Sequence, residues 1–248
     1  MQRVKLLIEY DGSDYFGWQR QNSGKTVQEE IENCLEEIYN EKIRIFVAGR
    51  TDAGVHALGQ VAHFDITNFK IEEERIFLAI NNLLKKKKNR ISILKSRKVS
   101  STFDSRFSVK EKVYLYRILN RSTPSFILNN RVWFVPKKLN ITSMSTSSKT
   151  LIGKFDFNAF RSSHCQAKNS TRSIKDIRIR RDKECIEIRV IGRSFLHNQV
   201  RIIVGTLVNV GKEIWSGKKI KEILQSKDRK NAGPTAPACG LYLEKIIY

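Results

Sequence analysis

Acidic residues, cysteine, proline and long apolar runs are all scarce in this chain of 248 residues. No apolar stretch approaches the roughly 20 residues of a membrane-spanning helix, and the opening MQRVKLLIEY lacks a signal-peptide core, so we expect a cytoplasmic protein outside the membrane. Hydrophobic residues still make up 40% of the chain, which argues against disorder. The length suits one large domain or two small ones.

Only four cysteines are present, and they are too far apart to suggest a metal site. No CxxC pair occurs, and His164-Cys165 is the only adjacent pair of metal-binding residue types. The cysteines are therefore expected to be buried or incidental thiols in a reducing compartment, and no metal is predicted. They are Cys34, Cys165, Cys185 and Cys239.

The shortage of acidic residues leaves a large excess of positive charge. There are 46 Lys and Arg against 25 Asp and Glu, which gives a net charge of +21, and the isoelectric point is near 10.0. The excess is spread along the chain, as expected for a protein that neutralises many phosphates of a nucleic acid. The plainer alternative is an ordinary enzyme from a lysine-rich proteome.

Hydrophobic periodicity predicts an α+β protein with two similar halves, 1–105 and 106–248. A capping box at Thr26 marks the start of the first helix. Strands are predicted at 3–10, 43–47, 61–66, 91–99, 113–119, 173–180, 185–191 and 241–248, and helices at 27–38, 76–84, 143–152, 195–210 and 218–225.

The segment AGRTDAGVHA, residues 48–57, presents one carboxylate on a loop after a predicted strand. Gly49 and Gly54 allow a tight turn or a close approach to a ligand, and loops after strands often carry reactive side chains. Asp52 is either a plain turn residue in a salt bridge with Arg50, or a desolvated carboxylate kept ionised by that arginine. His56 is more typical of a hydrogen-bonded loop histidine than of a catalyst.

Three other features are open to two interpretations from the residues alone. Tyr114 and Tyr116 share a strand face among cations, which suits either base stacking or a core. Arg201 lies with His197 on a polar face of the predicted 195–210 helix, where it is either solvated or directed at an anion. The run Lys85–Lys88 is either a solvated loop or a phosphate contact.

Taken together, these segments resemble the tRNA pseudouridine synthase A family. AGRTDAGVHA is similar to the catalytic motif of that family, and the likeness extends over nearly the whole chain in the family's order and spacing. The other matching segments are IEYDGSDYFGWQRQ, TVQEEIE, RFSVKEKVYLYRI, FNAFRSSHC, GRSFLHNQVRIIVGTLVNVG and PTAPACGLYL.

This resemblance implies a function and a site. Members of the family convert uridines 38, 39 and 40 of the tRNA anticodon stem-loop to pseudouridine, as homodimers and without a cofactor or metal. Asp52 matches the essential aspartate, Tyr114 matches the tyrosine that packs on the target uracil, and Arg50 and Arg201 match active-site arginines, with Arg201 pairing with the aspartate. The implied fold is α+β, with two related halves whose sheets join across a basic cleft and with helices outside. Gln199 departs from the family's usual methionine, and its polar side chain is expected either to face the RNA or to weaken packing.

Two other functions remain open at the level of sequence. A non-catalytic RNA-binding protein that keeps the scaffold would tolerate the loss of Asp52. An aspartate-dependent hydrolase of small nucleosides would need no broad basic surface, and its substrate affinity would hardly depend on salt.

Overall fold

The computed structural model describes residues 1–67, 71–163 and 165–248, so His164 lies outside the described residues. The chain forms two compact units. Unit 1 contains Met1–Lys110 and Tyr242–Tyr248, and unit 2 contains Glu111–Leu241. The final strand is thus grouped with the beginning of the chain, whereas the sequence suggested halves at 1–105 and 106–248.

The described residues contain ten strands and five helices, which confirms the α+β class predicted from the sequence. No helix in these residues is both long and apolar enough to span a bilayer. The strands are β1 (Gln2–Tyr10), β2 (Phe46–Val47), β3 (His56–Ile66), β4 (Ile91–Val99), β5 (Glu111–Leu119), β6 (Trp133–Phe134), β7 (Gly153–Asp156), β8 (Thr171–Asp182), β9 (Cys185–Gly192) and β10 (Leu241–Ile247). The helices are α1 (Val27–Tyr39), α2 (Ile76–Lys86), α3 (Ile141–Ser148), α4 (Gln199–Gly211) and α5 (Lys218–Ser226).

In unit 1, β1 lies between β4 and β3 and is antiparallel to both, while β10 is parallel to β3. The alternation in β1 places Val4, Leu6 and Ile8 in the core with no exposed surface, and leaves Lys5 and Leu7 partly exposed on the opposite face. Helices α1 and α2 pack together, and α2 packs on β4. One face of β1 is therefore core, and its other face is partly exposed.

In unit 2, strands β5, β9, β8 and β7 form an antiparallel sheet, and β6 adds in parallel to β5. Helix α4 packs against α3, and α3 packs against both β8 and α5. Nearly every residue of α4 is buried, including polar Gln199 and Thr206. This helix is the centre of the unit's core, and Arg201 projects from its first turn.

Most predicted elements are confirmed, but several boundaries are wrong. Strand β2 begins at Phe46 rather than Ile43, because the amide of Ile45 donates a hydrogen bond to the Glu32 side chain at 3.1 Å instead of joining a strand. Strand β3 begins at His56 rather than Val61. The predicted 143–152 helix is α3, which begins at Ile141 and gives way to a 3-10 turn after Ser148.

Helix α4 begins at Gln199, four residues after its predicted start. Asn198 has a left-handed backbone with φ of 61°, which interrupts helical geometry there. The predicted solvated loop Lys85–Lys88 is also partly wrong, since Lys85 and Lys86 complete α2 and Lys87 pairs with Glu37 at 2.8 Å.

Candidate active site

The loop carrying Asp52 connects β2 to β3 in unit 1, and its neighbours fix it closely. Asp52 is half-buried. Thr51, only 7% exposed, is hydrogen-bonded through its hydroxyl to the Tyr10 hydroxyl at 2.7 Å, and its carbonyl accepts from the amide of Trp18 at 3.1 Å. Gly49 is held by the Gln60 side chain, which donates to its carbonyl at 2.7 Å. On the other side of Asp52, the amide of Gly54 donates to the carbonyl of Tyr15 at 3.3 Å, so the backbone is fixed on both sides and little ordering is left to be done when a substrate binds.

The loop that contains Gly17 lies directly against the Asp52 loop. Gly17 has φ of +85°, and a Cβ built there would lie 2.5 Å from the carbonyl oxygen of Thr51 and 3.1 Å from the carbonyl carbon of Asp52. Only glycine combines this backbone conformation with such an approach. The glycine of the GWQ sequence is thus needed to position the carboxylate-bearing loop.

A buried histidine joins the end of the same loop to the turn after β1. His56 is 2% exposed, its Nδ1 accepts a hydrogen bond from the amide of Gly12 at 3.1 Å, and its ring stacks on Tyr242 with centroids 4.6 Å apart. Asp11 lies 3.2 Å from the same Nδ1. Burial alone would raise the pKa of Asp11, but hydrogen bonds from Ser13 and the nearby positive charges hold it at about 2. These contacts support the interpretation of His56 as a hydrogen-bonded structural residue.

Arg50 is in the same loop as Asp52, but it is exposed and forms no ion pair with another residue in the described part of the chain. The simple alternative of a turn stabilised by an Arg50–Asp52 salt bridge is therefore wrong. An exposed guanidinium beside a half-buried carboxylate remains accessible to an anionic ligand.

In unit 2, the two tyrosines of β5 have different environments. Tyr116 is fully buried, and its hydroxyl donates to the carbonyl of Pro237 at 2.7 Å, so it belongs to the core. Tyr114 retains 9% exposure and meets the edge of Phe195 with ring centroids 5.2 Å apart. Of the pair, Tyr114 is the one that keeps some exposed surface, and Tyr116 has none.

Arg201 is half-buried and anchored, so the interpretation of a solvated arginine is wrong. Its Nε donates to the carbonyl of Ala236 at 2.7 Å, and one terminal nitrogen donates to the Asn198 side chain at 2.9 Å. The backbone carbonyl of Arg201 also accepts from the amide of Ala236 at 3.2 Å. The segment around Ala236 thus holds the guanidinium in one orientation.

Close backbone contact keeps that segment against α4. A Cβ on Gly205 would lie 1.8 Å from the carbonyl oxygen of Pro234, and a Cβ on Gly233 would lie 2.7 Å from the backbone of Thr206. The Thr206 hydroxyl accepts a hydrogen bond from the amide of Gly233 at 3.0 Å. Arg201 therefore depends on two glycines for its position.

Two other residues around the start of α4 differ from expectation. Gln199 is 1% exposed, and its side-chain oxygen accepts from the amide of Leu196 at 2.8 Å, so it does not face a ligand as one of the two expectations proposed. His197 is exposed and precedes the helix, so it does not share a helical face with Arg201.

The residues that hold the site together were not predicted from the sequence. Tyr10, Asp11 and Gly17 fix the Asp52 loop, while Gly233 and Ala236 fix Arg201. All of them lie near or within segments that resemble the family, and the glycines of the FGW and AGP sequences were the available signal. Across the described ranges, no cluster of three or more His, Cys, Asp and Glu side chains is arranged to hold a metal, and none of the four cysteines forms a disulfide there.

Comparison with known proteins identifies the family. A family sequence model described as tRNA pseudouridine synthase matches residues 6–108 and 148–248. A tRNA pseudouridine synthase A from Neorickettsia sennetsu is 46% identical, over 99% of this chain and 100% of the relative. Enzymes of the same name from Ehrlichia chaffeensis and Bartonella tribocorum are 45% and 44% identical, over 99% and 100% of this chain and the whole of each relative.

Similarity among solved structures is much lower. A structure of a Cbf5-Nop10-Gar1 complex aligns with 85% of this chain and 55% of the matched chain, at 12% identity and a TM-score of 0.34, which is too distant to support a conclusion. The sequence relatives are sufficient, because their alignments extend over both units. The chain therefore belongs to the tRNA pseudouridine synthase A family, whose members are isomerases with the α+β pseudouridine synthase fold.

Proposed function

We propose that this enzyme isomerises uridines 38, 39 and 40 in the anticodon stem-loop of tRNA, with Asp52 as the catalytic carboxylate. The observation that carries the assignment of Asp52 is its placement: a half-buried carboxylate on a loop fixed by Thr51 and Gly17. Such a carboxylate is held in place yet can be reached by a substrate. The enzyme is proposed to act in the cytoplasm as a homodimer, as the family resemblance implies.

The reaction needs a group that can act at the sugar or the base. The bond from C1′ to N1 breaks, the uracil turns, C1′ forms a bond to C5, C5 gives up its proton and N1 gains one, so the atoms of the substrate are conserved. An ionised carboxylate can attack C1′, attack C6, or remove a proton from the sugar. Asp52 is suited to each of these roles.

The other site residues are assigned supporting roles. Arg50, exposed beside Asp52, is proposed to contact the RNA phosphate near the target nucleotide. Arg201, held by Ala236 and Asn198, is proposed to provide a positive charge that favours the ionised carboxylate in the complex. Tyr114 is proposed to stack on the uracil after it leaves the base stack of the RNA.

The proposed function is tested by modification mapping. Unmodified tRNA transcripts carrying uridine at positions 38, 39 or 40 are incubated with the protein, and pseudouridine is located by chemical probing. New pseudouridine is expected at these positions. Product confined to other positions, or no product, contradicts the proposal.

Tyr114 gives a second test, because one substitution removes its whole ring and another removes only its hydroxyl. Tyr114→Ala is expected to lower kcat/KM for tRNA by about 10- to 100-fold, since stacking of a base on an aromatic ring contributes ~1–3 kcal/mol. Tyr114→Phe keeps the ring and should retain most of the activity.

Tyr116→Phe is the matched control on the same strand. It removes the hydrogen bond to Pro237 inside the core, so it should lower the melting temperature and reduce kcat/KM much less than Tyr114→Ala does. Equal loss of activity in Tyr114→Ala and Tyr116→Phe would show that Tyr114 contributes only through the fold.

A further inference from the structure

The open face of the sheet in unit 1 carries cations that are placed side by side. Lys5 of β1 lies directly opposite Arg97 of β4, and Lys95 lies opposite Leu7, one step along the same face. Like charges directly opposite each other on neighbouring strands destabilise a sheet. The folded protein thus retains an unfavourable arrangement here.

These three cations line a pocket together with aliphatic side chains. The pocket has a volume of about 140 Å³, enough for more than one water molecule. Its lining consists of three basic and three aliphatic side chains, all in unit 1: Lys5, Lys95, Arg97, Leu7, Val61 and Ile246. Aliphatic side chains beside the cations lower the local polarity, which strengthens the interaction of the cations with an anion.

Arg3, on the same strand as Lys5, is a cation whose charge is paired with a carboxylate. Arg3 forms two hydrogen bonds of 2.8 Å with the carboxylate of Asp65 on β3. Within the described ranges, no carboxylate forms an ion pair with Lys5, Lys95 or Arg97. The positive charge of the pocket is therefore left for a ligand.

Lys5 is the most constrained of the three cations. Its Nζ lies 4.0 Å from the ring centre of Tyr248 and 4.9 Å from that of Phe103. Burial, and secondarily the charge of Arg97, lower the pKa of Lys5 to about 8. A bound anion would favour the protonated amine and offset the repulsion from Arg97.

We propose that this pocket is a phosphate-binding subsite that takes a backbone phosphate of the RNA. The planar guanidinium of Arg97 can donate two parallel hydrogen bonds to phosphate oxygens, and the lysines add positive charge. Such a contact positions the RNA without reading its sequence. The inference rests on the proposed function only in taking RNA as the ligand.

The test uses the whole chain with Arg97→Gln and Lys95→Gln, and an unmodified tRNA transcript as the probe. Each substitution is expected to raise the Kd for tRNA about three- to tenfold near physiological salt. The slope of log Kobs against log salt concentration should become less steep by about 0.7–0.9 for each phosphate that the variant no longer neutralises. In pseudouridine assays, KM should rise while kcat stays near the wild-type value.

Lys98→Gln is the matched control. It removes the same charge from the next position of β4, on the opposite side of the strand from Arg97. Its Kd and salt slope are expected to stay close to those of the wild type. Arg97→Gln is also expected to keep or raise the melting temperature, because it removes the repulsion with Lys5; a structural arginine would give the opposite result.

Three outcomes would overturn the proposal. The first is that Arg97→Gln and Lys98→Gln have the same effect on tRNA affinity. The second is a lowered melting temperature in Arg97→Gln that accounts for its weaker binding. The third is unchanged tRNA affinity while inorganic phosphate binds the wild type and not Arg97→Gln, which would assign the pocket to a small free anion. Binding is measured independently of turnover, so these results are distinct from a failure to form pseudouridine.

Discussion

Asp52→Asn is expected to abolish pseudouridine formation, with kcat reduced by about 10³-fold or more, while tRNA still binds. The substitution keeps the size of the side chain and removes the charge, so the nucleophile or base is lost. The loop should keep its position, because Thr51 and Gly17 fix it through contacts that do not involve the carboxylate. Single-turnover assays on a tRNA transcript measure the loss, and binding and thermal unfolding show that the fold is intact.

Asp14→Asn provides the control for charge. Asp14 is an exposed carboxylate in a neighbouring loop, where it pairs with Arg90 at 2.9 Å. Exposed ion pairs contribute little to stability, so this variant should behave like the wild type in both assays. Substantial product from Asp52→Asn would exclude Asp52 as the catalytic group. An equal fall in activity in Asp52→Asn and Asp14→Asn would show that the loss of one negative charge, and not the position of the carboxylate, lowers the activity.

Gly205→Ala is expected to have the largest effect on stability. Alanine is favoured over glycine inside a helix by about 1 kcal/mol. At this position, however, the added Cβ would lie 1.8 Å from the carbonyl oxygen of Pro234. Because the obstacle is backbone, the 233–236 segment must move, and overpacking of this kind typically costs ~1–3 kcal/mol or more. The steric cost should exceed the gain in helix propensity, and the melting temperature should fall by roughly 5–10 °C.

The same substitution should also reduce activity in the protein that remains folded. Displacing the segment of Ala236 removes the hydrogen bond that orients the Arg201 guanidinium. Gly211→Ala is the matched control at the other end of α4, where the Cβ would meet the side chain of Met144 at 2.5 Å. Flexible methionine can adjust more easily than backbone can. Equal destabilisation by the two substitutions would contradict the role assigned to the Pro234 carbonyl.

The sequence predicted the elements whose side-chain pattern repeats without interruption. Helix α5 was predicted to within one residue for this reason, and strand β4 was predicted at its observed bounds, 91–99, although an irregularity in its pairing with β1 interrupts the alternation. Boundaries failed where one side chain replaced a backbone partner. The side chain of Glu32 accepts a hydrogen bond from the amide of Ile45, so β2 begins after that residue. The left-handed backbone of Asn198 places the start of α4 four residues later than predicted. Such contacts join residues that are remote in sequence or depend on a single backbone angle, so periodicity does not report them.

The sequence indicated the residues of the candidate site but not the contacts that hold them in place. Asp52 and Arg50 are visible as a motif, and the resemblance added Tyr114 and Arg201. The pattern could not show that Arg50 is exposed and Arg201 anchored, because one partner of Arg201 is a backbone carbonyl at Ala236. Backbone groups are the same at every residue, so a sequence carries no direct sign of which carbonyl a side chain will meet.

The stacking of His56 on Tyr242 has a consequence for how the protein is made. The turn beside Asp52 relies on a ring that the ribosome adds only after the whole of unit 2, since Tyr242–Tyr248 belongs to unit 1. Unit 2 is continuous in sequence, whereas unit 1 is complete only when β10 has been added. Contacts between residues so distant along the chain are slow to form. A nascent chain that ends before Tyr242 therefore lacks this stacking contact at the end of the Asp52 loop.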